Sequence, residues 1–239
     1  MPPPLVLLHG FTQTGTMWEG VRAELADRAI VAPDLRGHGA ARDARPIDTG
    51  VLVADVLAAA PAGRFALAGY SMGGRLALHV ALAAPSRVAA LGLVSATAGI
   101  EGAEDRAARR SADEALADEI ERDGIEVFAQ RWAALPLFAG LPEAVRAAAQ
   151  AERLAQSPAG LAASLRGFGA GAMAPVWDRL GELVIPATVV VGERDAKFRA
   201  IGERLARELP RARHVVVPGA GHAVAQEAPA AVAAALRAV

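Results

Sequence analysis

The sequence predicts an α/β protein: a mostly parallel sheet with helices on both faces and an inserted all-helical cap. Three observations carry this. Six short apolar runs lie along the 239 residues, and five of them lead into a polar or glycine-rich motif. Helix-compatible stretches separate most of these runs, and strands alternating with helices imply a parallel sheet wrapped on both sides. The stretch 99–180 is Ala- and Arg-rich, contains no convincing strand, and is punctuated by Gly124, Pro136, Pro142, Pro158 and the glycines of 167–171.

The first run, Leu5–Leu8, ends in His9-Gly10-Phe11 and reads as a buried parallel strand. Residues 29–32 form a second, entering Pro33-Asp34-Leu35-Arg36-Gly37-His38-Gly39. Strands at 65–68, Val88–Val94, 187–191 and 214–217 follow, with helices predicted over 49–60, 72–84, 198–209 and 229–238. The chain then divides into a core of 1–98 and 181–239 and a cap of 99–180. The alternative for the cap is a second helical layer away from any site, with Trp132, Leu135, Leu137 and Phe138 as simple core. Open α/β sheets bind ligands beyond the carboxyl ends of their strands, where the polar motifs lie.

Composition narrows the function. No cysteine is present, which removes disulfides, thiolate catalysis and zinc–thiolate sites. A formal net charge of −1 argues against a general nucleic-acid binder. No apolar run approaches the ~18–20 residues of a membrane span, and Met1-Pro2-Pro3-Pro4 lacks the basic start of a signal peptide. The expectation is a cytoplasmic protein with a small-molecule substrate and neither nucleic-acid nor membrane partner.

The densest chemical signal is Gly69-Tyr70-Ser71-Met72-Gly73-Gly74-Arg75. Gly-x-Ser-x-Gly between a strand and a helix is a nucleophile elbow, with small residues letting a tight turn close. Ser71 needs a base, and the base an orienting acid. In the chain order that accompanies this elbow, acid then histidine follow the serine; Asp195 and His222 satisfy it. Asp34 and Glu193 are weaker alternatives for the acid, and His9, His38, His79 and His214 for the base. The N–H groups of Phe11 and Met72 are the expected oxyanion hole. Arg75 lies about one helical turn after Ser71, which suggests an anionic substrate.

These motifs resemble the α/β-hydrolase fold over nearly the whole chain. Within it, Leu8-His9-Gly10-Phe11, the elbow with its arginine, and Gly192-Glu193-Arg194-Asp195-Ala196-Lys197-Phe198-Arg199 resemble the 2-succinyl-6-hydroxy-2,4-cyclohexadiene-1-carboxylate synthases of menaquinone biosynthesis. The arginine-rich stretch 103–113, Trp132 with Pro136-Leu137-Phe138-Ala139-Gly140-Leu141, and Arg153 resemble that family's cap landmarks. The resemblance implies that Arg75, Arg109 and Arg153 bind substrate carboxylates, that Tyr70 and Trp132 line the pocket, and that no cofactor or metal is used. Its substrate is a tricarboxylate, and the reaction a pyruvate elimination with Ser71, His222 and Asp195 as general-base triad. For Arg109 and Arg153 the alternative is a solvated cap surface; for the whole site it is a serine hydrolase acting on a small acidic ester or a carbon–carbon bond. The chain starts almost at its first strand, so the sheet is expected to lack the antiparallel hairpin usual in larger members.

Overall fold

The computed structural model describes residues 2–138 and 140–239; Met1, and Ala139 of the Pro136–Leu141 landmark, lie outside the described residues. Six strands form one sheet: β1 (Leu5–Leu8), β2 (Ile30–Val31), β3 (Phe65–Tyr70), β4 (Val88–Val94), β5 (Ala187–Gly192) and β6 (Ala212–Val217), in the order β2-β1-β3-β4-β5-β6. All of these pairings are parallel. β1 and β3 are buried along their whole length, as expected of strands covered on both faces.

Side-chain alternation sends the strands into two cores. Val6, Leu8, Leu67, Leu91, Leu93 and Val189 pack with Val56 of α2 (Thr49–Ala59), Leu76 and Val80 of α3 (Met72–Ala83) and Leu205 of α7 (Ala196–Glu208). Leu5, Leu7, Ala66, Ala68 and Val190 pack on the other face with Val21 of α1 (Glu19–Glu24), Val224 of α8 (Val224–Glu227) and Val232 and Leu236 of α9 (Pro229–Leu236). The sheet order reverses between β1 and β3, so the crevice at their carboxyl ends is the switch point where such folds bind ligands.

Several boundaries differ from the sequence expectation. β2 keeps only the two residues that pair with β1. β3 continues through Tyr70 because Gly69 and Tyr70 pair with Leu93 and Val94. β6 starts at Ala212, opposite Ala187, so His214 lies within the strand. α7 starts at Ala196, because the Asp195 carboxylate accepts the Phe198 N–H and caps it.

Between β4 and β5 run α4 (Ala103–Ala133), α5 (Glu143–Leu154) and α6 (Pro158–Phe168). α4 is broken at Gly124, whose φ of 81° and ψ of 173° belong to a region essentially reserved for glycine. The break lets Phe128 fold back with Ala117 and Ile120 onto Leu161 and Leu165 of α6. Arg166 of α6 reaches Glu114, Asp118 and Glu121 of α4 at 2.6, 2.6 and 2.9 Å. Among the described residues no helix is long and apolar enough to cross a membrane.

Candidate active site

Ser71 sits between β3 and α3 at φ 51° and ψ −107°, a left-handed conformation unusual outside glycine. The turn closes because its neighbours are small: a Cβ on Gly69 would lie 2.2 Å from the Gly73 carbonyl oxygen, and one on Gly73 2.3 Å from that of Leu8. The Ser71 N–H donates to the Val94 carbonyl at 2.9 Å. Met72 opens α3, so its N–H points out of the helix start with no intrahelical acceptor. The N–H groups of Met72 and Phe11 meet no protein acceptor among the described residues, and both residues line the cavity at Ser71.

Asp195 and His222 come from the loops after β5 and β6. His222 Nδ1 lies 2.7 Å from Asp195 Oδ2. With Nδ1 donating to the carboxylate, Nε2 carries the lone pair of a base. Burial raises the Asp195 carboxyl, but the hydrogen bonds from His222 and the Phe198 N–H outweigh it and hold the group below its ordinary value. The His222 ring is buried between Phe198 and Tyr70, with centroids 4.4 and 5.4 Å away. Its loop is pinned: Glu193 accepts the Gly219 N–H at 2.8 Å, Glu227 the Gly221 N–H at 2.9 Å, and Ser95 Oγ donates to the His222 carbonyl at 2.9 Å. Glu193 therefore braces the loop, and Asp34 does the same elsewhere by accepting the Gly15 and Ala40 N–H groups.

Ser71 and His222 line the same cavity of about 330 Å³. No hydrogen bond joins Ser71 Oγ to His222 among the described residues, so of the two links expected in series the acid–imidazole one is made and the imidazole–hydroxyl one is not. Such contacts commonly tighten only when substrate is bound.

Three cations reach this cavity and a fourth an adjoining pocket. Arg75 is buried, donates to the Phe168 carbonyl at 3.1 Å and to Met173 Sδ at 3.0 Å, and stacks on Phe168. No carboxylate pairs with it among the described residues. Burial, with help from the Arg109 charge and against that of Asp113, pushes it down to about 10. Arg109 lines the same cavity but is paired with Asp113 at 2.7 Å. Arg153, also buried, touches a smaller adjoining pocket with Tyr70, Ser71 and His222; its Nη1 donates to Gln150 at 2.6 Å and its Nε has no partner among the described residues. Lys197 lines the larger cavity and was missed as a site residue, although its Asp-x-Lys-Phe setting was visible. Tyr70 and Trp132 wall the smaller pocket, and Trp132 packs edge-on against Phe11 at 5.4 Å. Leu135 and Leu137 are exposed rather than core.

A profile of the alpha/beta hydrolase family matches residues 5–235. The chain belongs to that family. A 2-succinyl-6-hydroxy-2,4-cyclohexadiene-1-carboxylate synthase from Enterobacter sp. (strain 638) is 35% identical over 237 residues, covering 98% of this chain and 90% of the relative. A Bacillus subtilis (strain 168) protein, for which the same name is provisional, is 38% identical over 234 residues, covering 94% and 85%. Among solved structures, MenH from S. aureus superposes with a TM-score of 0.90 at 29% identity, covering 99% of this chain and 92% of that one. A thermophilic esterase from Thermogutta terrifontis, solved with malate bound, gives 0.86 at 30% identity, covering 100% and 89%.

This alpha/beta hydrolase buries two further histidines beside the site. His9 Nε2 accepts the Leu35 N–H at 2.9 Å while Nδ1 meets the Gly10 carbonyl at 2.8 Å, which ties the loop after β1 to the loop after β2. His38 packs edge-on to His9 and Phe11. Burial pushes His9 down to about 4, and burial with the His9 charge pushes His38 down to about 3, from an ordinary value of 6.5. The unfolded chain therefore takes up protons below pH 6.5 that the folded protein refuses, and stability falls as pH drops from there toward 4. Each imidazole is expected to cost about 2 kcal/mol between pH 7 and pH 5. Urea unfolding at the two pH values measures this; equal midpoints would contradict it.

Proposed function

We propose that the protein eliminates pyruvate from 2-succinyl-5-enolpyruvyl-6-hydroxy-3-cyclohexene-1-carboxylate to give 2-succinyl-6-hydroxy-2,4-cyclohexadiene-1-carboxylate, a step of menaquinone biosynthesis. The observation that carries this is a pair of buried guanidiniums, Arg75 in the Ser71–His222 cavity and Arg153 in the pocket adjoining it, with no carboxylate partner among the described residues. Synthase relatives matched over nearly the full chain agree with it. Arginine suits the task because it stays charged and pairs with carboxylates through two parallel hydrogen bonds.

In this reading the Asp195-oriented His222, acting with Ser71, removes a ring proton next to the succinyl ketone. The electron pair moves to the ketone oxygen, which the Phe11 and Met72 N–H groups stabilise. As that enolate collapses, the ring carbon–oxygen bond breaks, the second ring double bond forms, and enolpyruvate departs to gain a proton and become pyruvate. No electrons are gained or lost overall, so the reading calls for no cofactor. Arg75, Arg109 and Arg153 hold the three carboxylates, Tyr70 and Trp132 wall the pocket, and residues 99–180 act as the cap over the core of 1–98 and 181–239. Incubation with the enolpyruvyl precursor should release pyruvate and develop diene absorbance; rates equal to buffer would overturn the proposal.

A second reading, hydrolysis of a small acidic ester, is favoured by the likeness to the Thermogutta terrifontis esterase. Fast p-nitrophenyl ester turnover through a stable acyl-enzyme, without pyruvate release from the precursor, would select it.

A further inference from the structure

The loop after β1 supplies the Phe11 N–H and carries an unusual residue, Thr12, at φ 70°. A β-branched residue in the left-handed region is strained, and such strain persists only where the surroundings over-determine it. The sheet side of the loop is held by Gly15, whose N–H meets Asp34 at 2.9 Å, and by the fully buried Trp18. Toward His222 it is held by Gln13, whose amide donates to Gln226 of α8 at 2.9 Å.

A third tie comes from the helical insertion. One oxygen of Glu152, in α5, accepts the Thr14 N–H at 2.6 Å, the Thr16 hydroxyl at 3.0 Å and the Thr14 hydroxyl. Thr14 already caps the turn that follows by accepting the Thr16 N–H. The turn thus has its own local support, and Glu152 adds a contact between elements 136 and 138 residues apart in sequence. The next residue of α5 is Arg153, whose buried guanidinium reaches the pocket beside Ser71 with Gln150 as its hydrogen-bond acceptor.

We propose that Glu152 is a positioning residue that sets the distance between the Phe11 N–H and the Arg153 guanidinium across the site. It binds the back of the loop that presents the one and stands next in the helix to the other. An anionic arm held by Arg153 and the negative oxygen forming over Ser71 are thereby kept in register. The part concerning Arg153 rests on the proposed substrate reading; the part concerning the Phe11 N–H does not.

The test compares Glu152→Ala, Glu152→Gln, Arg153→Ala and the double variant Glu152→Ala/Arg153→Ala. The first readout is the rate at which a fluorophosphonate labels Ser71, which depends on the oxyanion donors and not on the natural substrate. Glu152→Ala should slow labelling by about tenfold or more, and Glu152→Gln, which keeps an accepting oxygen, should restore most of it. The second readout is KM for the enolpyruvyl precursor. It should rise in Glu152→Ala, and the double variant should be little worse than Arg153→Ala alone, because the two residues act as one unit. Melting temperatures should stay close to wild type. Unchanged labelling, failure of glutamine to rescue, a loss that tracks the melting temperature, or fully additive KM effects would overturn the proposal. A wild-type enzyme that labels normally but releases no pyruvate would remove the substrate reading, and the labelling rates would still decide the role of Glu152.

Discussion

Replacing His222 or Ser71 by alanine is expected to lower kcat for pyruvate release by about 10²–10⁴-fold or more, with much smaller changes in KM. The split follows from where each group acts. Neither carries the charges proposed to hold the substrate carboxylates, so ground-state binding survives without them. In the proposed mechanism both act at the proton transfer, with the imidazole lone pair presented by the 2.7 Å bond from Nδ1 to Asp195. The combined variant should be little worse than either single one, since residues that act as a unit lose their effect together. Single-turnover measurement of pyruvate separates chemistry from release. A kcat within a few fold of wild type in either variant would remove the general-base role.

Arg75→Met is expected to weaken transition-state binding by about 2–4 kcal/mol, roughly 30-fold to 10³-fold in kcat/KM, if the guanidinium meets a carboxylate inside the cavity. Its effect on the protein alone should run the other way. Arg75 is a buried cation, 9% exposed, without a carboxylate partner among the described residues. A buried charge with no counter-charge costs stability even when a carbonyl and a ring face it, and an apolar side chain of similar length removes that cost. The variant should therefore melt no lower than wild type while losing activity. This combination marks a residue kept for the substrate and not for the fold. Unchanged kcat/KM would end the argument for an anionic substrate.

Much of this was legible in the primary structure because the fold writes itself in short apolar runs. β1 and β4 fall at their expected bounds because both read as unbroken apolar stretches. Edges were harder. Ala29 and Ala32 extend the apolar run around Ile30 and Val31, but only the inner two fall in register with β1 as a strand. The Asp195–His222 bond was readable from chain order, since neighbouring parallel strands deliver their end loops to one rim. That no Ser71–His222 bond is made among the described residues was not readable, because the spacing of two loops depends on packing that no motif encodes. Lys197 was visible in its motif but not as a cavity residue, and the partnership of Glu152 with Thr14 and Thr16 joins segments whose proximity only the tertiary fold creates.

The helical insertion also shapes how this chain acquires its form. β4 and β5 are adjacent in the sheet, yet the whole of α4, α5 and α6 lies between them in sequence. Zipping them together must close that long excursion before any pairing energy is returned, and non-local strand pairing of this kind is slow. The half of the sheet that bears Ser71 is therefore expected to consolidate from nearby segments before the half that bears Asp195 and His222 joins it. Pulsed hydrogen exchange during refolding should protect β1 and β3 before β5 and β6.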